Sequence, residues 1–219
     1  MANISDSDVV KLLNKIEMLE NQVSDLNCEL ETYKKTNNSD MPGRFLTKEE
    51  ILKLSANDQY YTENRWNHYY REMIDELSKF KNINSILEMG PYKAPFVENS
   101  DVIDIHDYSK YFPFKCNNVI VHDCMELPYP IEDKKYDLVI ACHVIEHLGY
   151  SGEQVDIFKE IARISKKAII SLPYKWHSPL RRSLHRIDEH VLNSWAKDFN
   201  CVYEKTSKLS ILRIYDFGD

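Results

Sequence analysis

Glycine is scarce in this chain of 219 residues, with only 5 present, and no GxGxxG run follows any strand candidate, which sets aside a nicotinamide-dinucleotide fingerprint. Cysteine is also sparse. Cys28, Cys116, Cys124, Cys142 and Cys201 form no CxxC pair and leave one over, so neither a disulfide framework nor a zinc ribbon is indicated and reduced thiols are expected. A basic excess is missing too. With 28 Lys and Arg against 35 Asp and Glu, the net charge is −7, whereas a dedicated nucleic-acid binder needs clustered cations to neutralise phosphates. The short group Arg181, Arg182, His185 and Arg186 is too local to change that balance. No apolar run approaches the roughly 18 residues of a membrane span, and the opening MANISDSDVV is polar and acidic rather than basic and then apolar. The expectation is a cytoplasmic protein with neither a span nor a leader.

What is present is enough apolar and aromatic material, 43% and 11%, for one sizeable core and an appendage. The appendage is legible first. Val9, Ile16, Val23 and Leu30 alternate with Leu12, Leu19, Leu26 and Tyr33 in steps of three and four, an unbroken heptad seam with mostly β-branched a and mostly Leu d positions. That combination favours a parallel dimer, and Lys15 with Glu20, then Glu29 with Lys34, would pair across it. An amphipathic helix folded on its own domain is the alternative, but such helices drift off a strict seven-residue period. The expected organisation is a coiled coil over 1–36, pairing as a homodimer through 9–33, a linker over 37–46 rich in Asn, Ser, Asp, Pro and Gly, and one domain over 47–219.

Within that domain, two helices are expected between Thr47 and Lys81. Apolar runs then alternate with helical or loop stretches, as in repeated βα units. The strand candidates are 85–89, 102–105, 119–121, 136–141 and 168–172, followed by a helix over 189–198 and a closing pair at 201–206 and 210–215. The fold class is therefore α/β: a Rossmann-like, doubly wound, mostly parallel sheet with a C-terminal antiparallel hairpin.

In such sheets ligands sit outside the carboxyl ends of the strands. Four candidate strands end in polar groups: Ile86-Leu87-Glu88-Met89-Gly90-Pro91-Tyr92, with a helix start expected after the glycine; Val102-Ile103-Asp104-Ile105; Val121-His122-Asp123-Cys124-Met125; and Leu138 to Cys142-His143. Taken in order, these blocks resemble the class I S-adenosylmethionine-dependent methyltransferases, in the branch with an FDLVhxxHVLEHL-type block, over about Ser85 to Leu172. The resemblance implies that Glu88 and Gly90 lie by the amino-acid part of the cofactor, with Pro91, Tyr92, Ile105 and Cys142 also lining it. It implies that Asp104 lies by the ribose, that Asp123, Cys124 and Met125 lie by the adenine, and that His143 lies beside the methyl position. An ionised carboxylate, which only accepts, suits the two ribose hydroxyl donors. This chain departs from the family where further glycines usually follow, having Tyr92, Lys93 and Ala94 instead.

His143-Val144-Ile145-Glu146-His147 also matches an HxxEH zinc motif, but that motif belongs inside a helix and here directly follows a strand candidate; no metal is expected. Beyond the fifth strand, Trp176, His177, Arg181 and Arg182 form a basic, aromatic stretch suited to a polar acceptor bearing phosphate or carboxylate, and Tyr60, Tyr61 and Arg65 could close the cofactor site. Catalysis is expected from His143 or His185 as base, supported by Glu146. The implied activity is methyl transfer to a small-molecule or glycan acceptor, such as a sugar hydroxyl. The alternative is a non-catalytic scaffold acting through its coiled coil.

Overall fold

The computed structural model describes residues 13–24, 41–149, 152–175, 187–207 and 209–218. The chain divides into two compact units, Met1–Ser39 and Asp40–Asp219. In the first, residues 13–24 form a helix, α1, whose side chains are all exposed. Ile16, Leu19 and Val23 of the heptad seam keep 44%, 46% and 56% of their surface in solvent. The rest of the seam lies outside the described residues.

The second unit is built on seven strands: β1 (Ile86–Met89), β2 (Asp101–Asp104), β3 (Asn118–Val121), β4 (Tyr136–Cys142), β5 (Ser165–Pro173), β6 (Cys201–Thr206) and β7 (Ser210–Asp216). Their order is β3-β2-β1-β4-β5-β7-β6. β1 to β5 run parallel, and β7 pairs antiparallel with both β5 and β6. The expected doubly wound sheet with a C-terminal hairpin is therefore present. Its order reverses between β1 and β4, the position at which open sheets of this kind bind ligands.

The central strands are apolar throughout because both faces are covered, and alternate residues serve the two sides. Ile86, Leu138, Ile140 and Ile169 join a core with Ile51, Trp66, Tyr70, Met73 and Leu77. These come from α2 (Lys48–Ser55), the π-helical turn Trp66–Tyr70 and α4 (Arg71–Leu77), with the single turn α3 (Glu63–Arg65) between. Leu87, Val139, Ala141, Ala168 and Ile170 face the other way, onto Ile157, Phe158, Ile161, Ile164 and Leu192 of α5 (Gln154–Ile164) and α6 (Glu189–Trp195).

Two expectations change. The domain does not begin at 47: Phe45 and Leu46, placed in the linker by their polar surroundings, are 1% and 0% exposed. Phe45 bridges to Val97, and Leu46 N–H donates to the Phe96 carbonyl at 2.9 Å. Nor does a helix follow Gly90. Residues 90–100 form turns instead, since Pro95 lacks a backbone donor and both Gly90 and Tyr92 hold positive φ, 56° each, outside the helical region.

Candidate active site

The β1–β2 connection is organised from beneath by Glu88. This carboxylate, 0% exposed, accepts from Phe96 N–H at 2.6 Å, Val97 N–H at 2.8 Å and Ser100 Oγ at 2.9 Å. Burial pushes its pKa up to about 7 against those three donors. Glu88 is therefore not available to touch a ligand's amino-acid part; it substitutes for a helix by satisfying loop donors that would otherwise be buried and unpaired. Gly90 is likewise needed for packing: a β-carbon there would stand 2.5 Å from Val144 Cγ2. Gly90, Pro91 and Tyr92 are partly exposed.

Above this loop lies a group of tyrosines. Tyr92 N–H donates to Asp104 Oδ2 at 3.1 Å, orienting the carboxylate at the end of β2. Asp104 is 8% exposed and its pKa is raised by burial, with Tyr92, Ile105 and His106 N–H groups opposing. The Tyr92 ring meets Tyr108 edge-on at 4.7 Å and stacks with Tyr61 at 6.0 Å. Its hydroxyl donates to Asp58 Oδ2 at 2.9 Å, and Lys93 Nζ reaches the same oxygen at 2.6 Å. Lys93 N–H donates to Tyr61 Oη at 2.9 Å. The segment before β1 thus clamps the loop where glycines were missing.

At the next strand end, Asp123 accepts from Met125 N–H at 2.9 Å, forming an Asx turn that leaves Asp123 half-buried and Met125 exposed. Cys124 is buried, its carbonyl accepting from Tyr129 Oη at 3.1 Å, and burial pushes its thiol up to about 12. Ile105, just past β2, is 53% exposed.

Across the crevice, β4 ends at Cys142, whose thiol pKa is raised by burial. His143 follows at φ 54°, its N–H donating to the Ser171 carbonyl at 2.8 Å and its ring stacked on Tyr69 at 4.4 Å. Glu146 sits in the 3-10 turn Ile145–His147 and is 1% exposed. Its Oε1 lies 3.8 Å from His143 Nδ1 and 3.7 Å from His147 Nε2. Neither carboxyl oxygen has a hydrogen-bond partner among the described residues, and burial pushes the group up to about 8. The two histidines do not share a helix face, because one ends a strand and the other a 3-10 turn. Among the described residues no set of three His, Cys, Asp or Glu side chains is disposed to hold a metal ion.

Trp176, His177, Arg181, Arg182 and His185 lie outside the described residues. Three contributors were not expected at the site. Asp58 and Lys93 meet across 35 positions with no local pattern to announce them, and Tyr69, which packs against the core, also stacks on His143. No helix of the described residues is long and apolar enough to cross a membrane.

A family model described as a methyltransferase domain matches residues 98–168. Over that stretch the chain is similar to a methyltransferase domain. The match runs from just before β2 into β5 and begins after Tyr92, Lys93 and Ala94 of the glycine-poor loop. No curated protein sequence matches the chain. Solved structures agree in fold. A SAM-dependent methyltransferase from Aquifex aeolicus superposes with TM-score 0.52 at 13% identity, covering 78% of this chain and 98% of that one. N-methyltransferase NodS from Bradyrhizobium japonicum, in complex with S-adenosyl-L-homocysteine, gives 0.50 at 12% identity, covering 77% and 96%. The 1,6-didemethyltoxoflavin-N1-methyltransferase of Burkholderia thailandensis, with bound 1,6-didemethyltoxoflavin and S-adenosylhomocysteine, gives 0.53 at 11% identity, covering 76% and 84%. At these identities the likeness to the methyltransferase domain is one of fold.

Proposed function

We propose that the chain binds S-adenosylmethionine along the carboxyl edge of β3, β2, β1 and β4 and methylates a polar acceptor, the hydroxyl of a sugar or glycan-linked group. The observation that carries this reading is the alignment, across the point where strand order reverses, of Asp123, Asp104, Tyr92 and His143 on one sheet edge. The residues fit such a cofactor. Asp104, held by Tyr92 N–H, is an acceptor for ribose hydroxyls, and the backbone beside Asp123 suits an adenine edge. When bound, the cofactor supplies a methyl group already activated on a positively charged sulfur. The chain's part is to hold the acceptor in line, exclude water and take a proton. His143 or His185 is the base in this reading, and His143 stands at the strand end beside the buried Glu146. As the ring gains a proton, that carboxyl becomes easier to ionise and balances it. The basic stretch with Trp176, His177, Arg181 and Arg182 takes the acceptor, and residues 9–33 join two copies in parallel.

Calorimetry with S-adenosylhomocysteine tests the site. Asp104→Ala and Asp123→Ala are each expected to lose about 1–3 kcal/mol of binding. Unchanged affinity in both variants overturns the assignment, and absence of binding to the unmodified chain leaves the non-catalytic scaffold.

A further inference from the structure

Glu146 is buried without the bonds that usually accompany a buried carboxyl. It lies in the 3-10 turn just past β4 and is 1% exposed. Glu88, the buried acid of β1, is met by three donors, whereas neither oxygen of Glu146 has a hydrogen-bond partner among the described residues. Desolvation penalises the charged form of such a group, and its pKa stands at about 8. Two imidazoles stand beside it, His143 Nδ1 at 3.8 Å and His147 Nε2 at 3.7 Å from the same Oε1. The His147 side chain is 53% exposed, so the carboxyl has a titratable neighbour in contact with solvent. Cys142 of β4, Tyr60 and Tyr69 surround the same place, each with its pKa raised by burial. Arg65 lies on the Tyr60 ring and donates to the Tyr69 hydroxyl. Glu153, whose Oε2 would meet a β-carbon on Gly149 at 2.6 Å, is the acid at the start of α5. Glu72, within electrostatic reach of Cys142, is bound to Ser210 and Lys205. Glu146 thus differs from the other acids here in having neither a bond nor a cation of its own.

We infer that Glu146 is the counter-charge for the cofactor's sulfonium, neutral without the ligand and giving up its proton when the positively charged sulfur arrives beyond the end of β4. This rests on the cofactor reading above, which places adenine beyond β3, ribose at Asp104 and the methyl group beside His143. An opposite charge nearby lowers a carboxyl's pKa by about 1–3 units, and from a value near 8 such a fall passes through neutral pH. The proton goes to solvent, with His147 placed beside the carboxyl to take it on. S-adenosylhomocysteine has an uncharged thioether at the same position and leaves the carboxyl protonated. Glu146 therefore tells methyl donor from demethylated product by charge, favouring entry of the first and release of the second.

Calorimetry on the full chain, without acceptor, reads this directly. In buffers of different ionisation heat at pH 7.5, S-adenosylmethionine is expected to release about half a proton more on binding the parent than on binding Glu146→Gln, which keeps the shape and cannot ionise. S-adenosylhomocysteine should release the same number from both. The variant is expected to bind S-adenosylmethionine roughly 3- to 30-fold more weakly and S-adenosylhomocysteine within about twofold of the parent, which also shows that it is folded. Titration of the ligands themselves is common to parent and variant and cancels between them. If S-adenosylmethionine releases as many protons from Glu146→Gln as from the parent, or if the variant weakens both ligands equally, the inference is overturned while the cofactor site stands. If the parent binds neither ligand, the cofactor reading itself falls, and this inference with it.

Discussion

The Val144 side chain fills the space that a β-carbon on Gly90 would need: the added atom would lie 2.5 Å from Val144 Cγ2, at a backbone φ of +56°. The glycine of the first strand-end block thus fixes the approach of the β4 loop to the β1 loop.

Gly90→Ala is therefore expected to destabilise the fold by about 2–4 kcal/mol, combining the left-handed backbone with overpacking. Val144→Ala should relieve the packing part alone. Thermal or urea unfolding of both single variants and the double variant measures this, and strictly additive effects would show that the two side chains do not compete for the same space.

Strand positions were legible because central strands are continuous apolar runs and the two-residue alternation assigns each side chain to a core. β6 begins and ends where expected, and β2 and β3 lie within one residue of their expected bounds. The loop after β1 was not legible. Its structure depends on Glu88 collecting donors 8 to 12 positions ahead and on Asp58 gripping Tyr92 and Lys93 34 and 35 positions away, none of which leaves a periodic trace. Asp104 and His143 could be placed at strand ends from the sequence, but not the tyrosines that orient them. Phe45 and Leu46 were misplaced for a related reason: two apolar residues after a polar tract show no period.

Glu146 should leave a signature in the pH dependence of stability. Its pKa rises from an ordinary 4.5 to about 8 on folding, so between those values the unfolded chain has released a proton that the folded protein retains. Stability contributed at low pH is lost as pH climbs through this window and does not return above it. Glu88, at about 7, acts with the same sign over a narrower window. Glu146→Gln should be nearly neutral at pH 5 and more stable than the parent by at least about 1 kcal/mol at pH 8.5. A difference that stays constant from pH 5 to 8.5 would contradict a carboxyl held protonated by burial.

The exposed Ile16, Leu19 and Val23 of α1 motivate an association test. Sedimentation of the full chain is expected to give a dimer at micromolar concentration, and Ile16→Asp with Val23→Asp should convert it to monomer by placing like charges at facing a positions. A monomeric parent chain would end the heptad reading. An unchanged dimer in the variant would move the interface elsewhere.

Catalysis gives the last expectation, and it turns on which histidine takes the proton. A hydroxyl acceptor is a poor nucleophile until its proton is leaving, whereas an amine needs less help, so a required base also reports on the acceptor. His143 is fixed at the end of β4 by the Ser171 carbonyl and by stacking on Tyr69, with Glu146 3.8 Å away. His185 and His177 lie beyond the described residues, on the stretch that should cover the acceptor. His143→Gln or His185→Gln, whichever removes the base, should lower turnover by roughly 100-fold or more while S-adenosylhomocysteine affinity stays nearly intact. The assay must follow methylated acceptor, because spontaneous cofactor breakdown gives a background independent of the base. Tyr69→Leu, which removes the ring stacked on His143, should shift the pH profile of turnover if His143 is the base and leave it unmoved if His185 is. Full turnover with His143, His177 and His185 all replaced would exclude histidine as the base and favour an amine acceptor that sheds its proton to water.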